Sequence, residues 1–251
     1  VEQVNDKGVY SFCMCPGGII APCATEAGEI VTNGWSPSKR NNPFANSGIV
    51  VSIEENDWKN YVNEGALAAM YFQAEIEKKA FHLVNSIENS QFAPAQRLLD
   101  FVEGKDSEDL PSCSYIPGIV PARVDKIFPE QISHRLKVAF RTFGKKMPGY
   151  LTNEAIVVAV ESRTSSPVRI PRDRDTLEHV QVKGLYPCAE GAGYAGGIVE
   201  NDVLRWRRTL WPWRCSGARV WNARCRPSRS RSSHQARVSC PRCGARGLAH
   251  R

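Results

Sequence analysis

The sequence predicts an α/β protein in which a mixed sheet is combined with about three helices, followed by an irregular C-terminal tail. Residues 155–163, AIVVAVESR, form a near-continuous apolar run that is typical of a strand covered on both faces. Two long segments elsewhere carry apolar residues at helical spacing, and shorter strand-like runs precede them. The 251 residues are enough for one large domain or two.

Three N-terminal segments have the composition of strands, namely residues 8–15, 29–34 and 46–53. The first contains Cys13 and Cys15, whose alternation puts both thiols on one side of a strand. They fit either small buried core residues or a redox pair that faces a substrate. The polar segment WSPSKRNNPFANS, which includes Asn46, fits a loop that lines a pocket or a plain connection.

Three helices are predicted, over residues 63–84, 94–103 and 129–146. The first has an apolar stripe that we assign to the core, made of Leu67, Met70, Tyr71, Ala74 and Phe81. The second begins with Pro94, which suits the first turn of a helix. The third has the stripe Ile132, Leu136, Ala139, Phe140 and Phe143, and Pro148-Gly149 follows its end.

The strand at 155–163 ends at Arg163, and a second short strand, VRI, contains Arg169. Ser165 lies in the turn between them. An arginine at the end of a strand can bind a carboxylate or a phosphate with two parallel hydrogen bonds. The alternative is a structural ion pair of arginine with Glu161 or Asp173.

The stretch GLYPCAEGAGYAGG at 184–197 predicts a short strand, Leu185 to Pro187, followed by Glu190 and a glycine-rich turn. The carboxylate can accept hydrogen bonds from hydroxyl groups, and free amides at a following helix start can hold an anion. The glycine spacing matches GxGxxG, but no apolar strand precedes it and no acid follows about twenty residues later. A tight surface turn is the alternative interpretation.

Residues 200–251 hold 13 arginines and two acids, so this tail accounts for the net charge of +7 and the body is mildly acidic. The body therefore gives no reason to bind nucleic acid or a membrane. The tail's composition is typical of irregular or out-of-frame sequence. Its interleaved tryptophans leave nucleic-acid binding as an alternative, and CPRC at 240–243 is at most half of a zinc site, so we expect no metal.

Four strings in the same order resemble an uncharacterised group of FAD-dependent oxidoreductases: SFCMCPGG, TNGWSPSKRNNPFANSGIVV, VESRTSSPVRIPRD and GLYPCAEGAGYAGGI. The resemblance implies a flavoprotein with a two-part FAD-binding domain and an inserted domain. Residues 1–183 would be the inserted substrate domain, 184–199 the returning FAD-contact strand and turn, and 200–251 a tail. An N-terminal FAD-binding segment would be missing, so the chain alone would bind FAD weakly.

The resemblance also implies hydride exchange between FAD and a small-molecule substrate, with NAD(P) as a possible second cofactor. Glu190 would accept a hydrogen bond from a ribityl hydroxyl, within a cofactor-binding set of Glu190, Gly191, Gly193, Gly196, Gly197 and Ile198. The candidate substrate-binding residues are Arg163, Ser165, Arg169 and Asn46. No general acid or base is identified, and a remnant without cofactor is the alternative. Irregularly spaced cysteines and no visible secretion signal indicate a cytoplasmic protein.

Overall fold

The structure is a computed structural model that describes residues 1–87 and 90–194 and the backbone of residues 214–222. In chain order the strands are β1 (Glu2–Val4), β2 (Lys7–Cys15), β3 (Ile19–Pro22), β4 (Thr32–Trp35), β5 (Ala45–Ser52), β6 (Ala93–Arg97), β7 (Ile119–Pro121), β8 (Ile156–Val158) and β9 (Arg214–Asn222). The helices are α1 (Ala68–Val84), α2 (Leu98–Glu103) and α3 (Glu130–Lys146). Short 3₁₀ helices span Glu55–Asp57, Lys59–Leu67, Val124–Lys126 and Glu190–Ala192.

Within the described residues, seven strands form one sheet in the order β1-β2-β5-β9-β8-β6-β7. The sheet is mixed, because β6 and β7 are parallel while the other neighbouring pairs are antiparallel. Strands β3 and β4 form a separate antiparallel pair. The predicted combination of a mixed sheet with about three helices is therefore confirmed.

Strand β8 lies inside the sheet, between β6 and β9, and all three of its residues are fully buried. Its burial confirms that this apolar run is covered on both faces. The strand is shorter than predicted, because it ends at Val158 and the chain continues to Ser162 as buried irregular backbone. The predicted second strand, VRI, is wrong, since residues 168–170 form no ladder.

Helix α3 confirms its prediction closely. The five residues of its apolar stripe are all buried. Phe140 packs edge-to-face on Phe101 of α2, with ring centroids 5.7 Å apart. Lys145 and Lys146 lie in the last turn, where positive charge is favourable next to the unpaired carbonyl groups.

Helix α1 forms where predicted, but most of its predicted core stripe is wrong. Met70 is 38% exposed and Tyr71 is 46% exposed, and Phe81 is the stripe residue on the buried face. That buried face also carries Gln73 and Glu77, both polar. A prediction from hydropathy assigns polar residues to the exposed face of a helix. It fails here because Gln73 and Glu77 form hydrogen bonds inside the protein, as described below.

The predicted helix at 94–103 is wrong in its first half. Pro94 lies in strand β6, opposite Val120 of β7, and its carbonyl oxygen accepts a hydrogen bond from the Ala159 amide at 3.1 Å. A proline in a strand loses only its own donor and keeps its acceptor. Helix α2 begins at Leu98, after Arg97 adopts extended backbone.

Cys13 and Cys15 lie in different environments, contrary to the prediction. A register shift interrupts the β2–β5 ladder between Phe12 and Cys15. Cys13 has a φ of 50° and is exposed, whereas Cys15 is buried. Regular strand alternation therefore does not apply across this bulge.

The prediction that the tail is irregular is wrong for residues 214–222. This segment forms β9, which pairs with β5 from Ala45 to Ser52 and with the whole of β8. The other residues of the 200–251 segment lie outside the described part of the chain. Across the described residues, no helix combines the length and the apolar character needed to cross a membrane.

Candidate functional site

The glycine-rich stretch forms a compact turn that is fastened to the segment after β8. Glu190–Ala192 make one 3₁₀ turn, and Gly193 closes it with a φ of 79° and an amide that donates to the Glu190 carbonyl oxygen at 2.8 Å. A Cβ atom at Gly193 would lie 2.7 Å from the Val168 carbonyl oxygen. Glycine is therefore required here by both the backbone conformation and the close contact.

The strand predicted just before this turn is wrong. Leu185 is 43% exposed and Tyr186 is 58% exposed, and neither pairs with a neighbouring strand. The Leu185 carbonyl oxygen instead accepts from the His179 amide at 2.7 Å, and Pro187 has no amide to donate. The backbone hydrogen bonds of this segment are thus made within local turns.

The turn and residues 166–170 are joined by three contacts. The Ile170 amide donates to the Ala192 carbonyl oxygen at 3.2 Å, and the Tyr194 hydroxyl donates to the Ile170 carbonyl oxygen at 2.7 Å. The Ser166 hydroxyl lies 3.4 Å from the Gly191 carbonyl oxygen. The structure therefore brings Arg169, a predicted substrate residue, next to the predicted cofactor turn.

Glu190 is half-buried, and burial raises the pKa of its carboxyl above the usual value. Among the described residues, no hydrogen-bond donor or cation contacts this carboxylate. Among the described residues, a Cβ atom added to Gly191 would meet nothing within 4 Å, so these residues leave the space beside the turn open there. A half-buried acceptor next to open space fits a ligand that brings its own hydroxyl groups. The predicted Gly196, Gly197 and Ile198 lie outside the described residues.

Asn46 lies in strand β5, not in the loop before it. It is buried, and its Nδ2 atom would be 2.6 Å from a Cβ atom at Gly18. Gly18 therefore lets the Pro16–Gly18 turn approach Asn46 closely. Glu161, also buried, has its Oε2 atom 3.0 Å from the Cβ position of Gly48, two residues along the same strand face. The Glu161 side chain thus lies against the same face of β5 that carries the Asn46 side chain.

Arg163 lies at the centre of a charged cluster that sequence reasoning missed. Its Nε and Nη2 atoms donate to the two carboxylate oxygens of Glu77 at 3.1 and 2.8 Å. Nη2 also donates to Glu29 at 3.1 Å, and Nη1 donates to the Thr25 hydroxyl at 2.7 Å. The ion-pair alternative thus has the right form, but the partners are Glu77 and Glu29 instead of Glu161 or Asp173.

The polar residues on the buried face of α1 are satisfied by the same segment of chain. The Ser162 hydroxyl donates to Glu77, and the Gln73 amide donates to the Ser162 carbonyl oxygen at 2.6 Å. These partners are 85 and 89 residues apart in sequence. The sequence gives one indication of this cluster. Gln73 and Glu77 are four residues apart, so they lie on the same helix face as the apolar residues Ile76 and Ala80.

The two carboxylates of this cluster share one arginine. The side chains of Glu29 and Glu77 are only 5% and 2% exposed. Burial is the first cause of a raised pKa for Glu29, and the nearby carboxylate of Glu77 adds to it. Arg163 and Lys78 oppose the shift without cancelling it. Folding therefore shifts the protonation equilibrium of Glu29 toward its protonated form relative to the unfolded chain.

A pH dependence follows from this raised pKa. Because the folded-state pKa exceeds the unfolded one, the stabilising effect of protonated Glu29 is full below about pH 4.5 and is lost as pH rises through the folded value. Glu29→Gln keeps a neutral side chain, so its stability relative to wild type should rise over that window and then level off. Urea unfolding from pH 4 to 8 measures the difference. Glu26→Gln, at an exposed position, is the control and should show no such trend.

Comparison with known proteins assigns the chain to a family. Residues 1–164 match the family described as "FAD-dependent protein, C-terminal domain-like". The chain belongs to this family. It is also 40% identical over 199 residues to an uncharacterized protein of Clostridium beijerinckii (strain ATCC 51743 / NCIMB 8052), a match that covers 78% of this chain and 36% of that protein.

These findings bear out the recognised resemblance to FAD-dependent proteins. The chain spans about a third of the length of the relative that it matches. The family description names FAD and does not name NAD(P). The matched range ends at residue 164, just after Arg163, so the glycine turn at 190–193 lies beyond it.

Proposed function

We propose that this chain is the C-terminal part of an FAD-dependent oxidoreductase and that its glycine turn contacts the flavin. The observation that carries the proposal is the half-buried Glu190 carboxylate, which has no partner in the described chain and lies beside space that the described residues leave open at Gly191. FAD has several hydroxyl groups that can donate to such an acceptor. Bound flavin would supply hydride transfer to or from a small-molecule substrate.

In this proposal the residues of the chain bind and orient the cofactor. Glu190 accepts from a ribityl hydroxyl, and Gly196, Gly197 and Ile198 would supply backbone amides to the pyrimidine end of the ring system, as the family resemblance implies. Gly191 and Gly193 keep the turn close to the ligand. Backbone donors at that end would favour negative charge on the ring.

The substrate side of the proposal includes Asn46, Ser165 and Arg169 as possible contacts. Arg163 takes a different part, because its guanidinium already binds two carboxylates. It would position the segment that leads from β8 to Ser165 and not bind substrate directly. In a longer protein of this family, further residues would bind the diphosphate of FAD. We also propose that the protein acts in the cytoplasm.

The test is a titration of the 251-residue chain with FAD, followed by flavin fluorescence and calorimetry. A hydrogen bond to a charged group contributes about 1.5–3 kcal/mol when its loss leaves a group unpaired, so Glu190→Ala should weaken FAD binding by about tenfold or more. Glu190→Gln, which keeps an acceptor, should lose less. Glu26→Gln is the matched exposed control.

Equal FAD affinity in wild type and Glu190→Ala would contradict the assigned contact. No saturable FAD binding by the wild-type chain would favour the second candidate, a remnant that has lost its cofactor. That candidate is supported by the 36% coverage of the longer relative, because much of a cofactor site can lie outside this chain. A visible absorption spectrum of a longer protein from the same family distinguishes the two cases. Bound flavin in that protein would show that the cofactor site is completed by residues outside this chain, and no bound flavin would show that the site has been lost.

A further inference from the structure

Two arginines stack on one tyrosine beside the glycine turn. The guanidinium carbon of Arg172 lies 3.7 Å from the centre of the Tyr194 ring, and that of Arg169 lies 4.5 Å from it. We propose that Arg169, Arg172 and Tyr194 form an oxyanion-binding site, which takes a phosphate or a carboxylate group of a ligand. This group of three residues is called the arginine–tyrosine site below.

The first argument is uncompensated charge. Among the described residues, neither Arg169 nor Arg172 has a carboxylate within ion-pair distance, whereas Arg135 has one and Arg163 has two. Two like charges held on the same ring repel each other. An anion bound at either guanidinium would offset that repulsion by its own attraction to the two charges.

Three nearby acids, Asp173, Glu178 and Glu190, form no ion pair with these arginines. Asp173 accepts from the amides of Asp175 and Thr176 at 2.9 and 2.8 Å, and these hydrogen bonds lower its pKa. Glu178 accepts from the Gly184 amide. The pKa of Glu190 is raised by burial with no opposing effect of an arginine. The described residues therefore leave both guanidinium charges without a carboxylate partner.

The second argument is that the ring and one guanidinium are fixed in place. The Tyr194 hydroxyl donates to the Ile170 carbonyl oxygen, and the Tyr194 amide donates to the Ala189 carbonyl oxygen at 3.0 Å. Arg172 uses one Nη1 donor on the Pro187 carbonyl oxygen. Guanidinium has five donors, so most of them remain for a ligand. A fixed planar fork matches the two oxygens of a carboxylate or a phosphate.

The chemical class of the ligand follows from these donors. Cationic nitrogens predominate at the site, so it selects a negatively charged group with two or more oxygens. The inference deepens the proposed function and rests on it for one point only, that the oxyanion belongs to the substrate or the cofactor. Binding of a simple anion does not depend on flavin, so the two proposals can fail separately.

Isothermal titration of the full 251-residue chain with inorganic phosphate, without flavin and at constant ionic strength, tests the site. Wild type should show saturable binding of one phosphate. Arg172→Gln and Arg169→Gln should each weaken it by at least about tenfold, because each removes one charge and one fork. Arg174→Gln is the matched control, since it removes the same charge from an exposed position two residues away, and it should change affinity by less than about twofold.

The absence of saturable binding by wild type, or an equal loss in Arg174→Gln, would overturn the proposal. Parallel titrations with acetate and with phosphate show which group the site prefers, and tighter binding of either one supports it. Circular dichroism confirms that Arg169→Gln, at an exposed position, keeps the fold. Because no flavin is present in these titrations, their outcome is separate from that of the FAD titration.

Discussion

Replacing Val220 by proline is expected to destabilise the protein by about 3 kcal/mol or more, since proline in a central strand removes a ladder donor and distorts the backbone. Val220 is opposite Ser47 of β5 and Val157 of β8, and it lies inside β9, two residues before the end of the strand. Ile49 to Val51 and the whole of β8 are essentially inaccessible to solvent. Disrupting β9 therefore leaves buried backbone groups of two strands without partners.

Urea unfolding followed by far-UV circular dichroism measures this effect. Val220→Thr is the matched control, because threonine keeps the amide donor and the β-branched shape that suits a strand. It should stay within about 1 kcal/mol of wild type. Equal stability of Val220→Pro and wild type would show that the sheet does not depend on β9. The experiment thus decides whether the arginine-rich segment is part of the folded protein.

The features that the sequence predicted well are local. Strand β8 and helix α3 each have a regular pattern of apolar residues that identifies the buried positions. Arg135 in α3 is the one charged residue that is also buried in these two elements. Arg135 is nearly buried because it pairs with Asp57 at 2.9 Å. The pattern of the five apolar residues in α3 outweighs this one exception, so the predicted face is correct.

The features that the sequence did not predict depend on partners far along the chain. The buried face of α1 contains Glu77 because Arg163, 86 residues away, binds it. The strand at Pro94 exists because β7 and β8 lie on either side of β6. The position of β9 depends on a gap between two strands that are themselves remote from it. No window of a single sequence contains such information.

The candidate site divides in the same way. Glycine spacing correctly indicated a turn that needs glycine at 193, since the φ there is 79°. The same spacing gave no indication that Arg172 and Tyr194 would stack beside it. The charge of Arg163 was recognised, whereas its two carboxylate partners were not. Residue type thus predicted which side chains have polar partners, and the tertiary fold determined which partners they are.

Arg163→Ala is expected to lower the free energy of unfolding at pH 7 by about 2–3 kcal/mol. Removing one partner of a buried ion pair costs about 3–5 kcal/mol, and we lower this figure because the Arg163 side chain is 34% exposed. The cost arises because the Glu77 and Glu29 carboxylates stay buried without their main cation. We expect the loss of these contacts to destabilise mainly the segment from Ser162 onward, which leads to the proposed substrate residues.

The pH dependence of this variant has a definite sign. Arg163 lowers the pKa of Glu29 against the effect of burial, so its removal raises that pKa further. The stability deficit of Arg163→Ala should therefore be largest at neutral pH and should shrink as pH falls through the raised pKa. Unfolding measured at pH 7 and at about pH 4.5 gives the comparison.

Two further variants test the ion-pair explanation directly. Arg163→Lys keeps the charge but loses the two-point contact with Glu77, so it should recover part of the stability. Adding Glu29→Gln to Arg163→Ala removes one of the unpaired carboxylates and should also recover part of it. If the double variant is no more stable than Arg163→Ala at neutral pH, the deficit comes from lost packing of the arginine stem. In that case charge would not explain why this arginine lies at the end of β8.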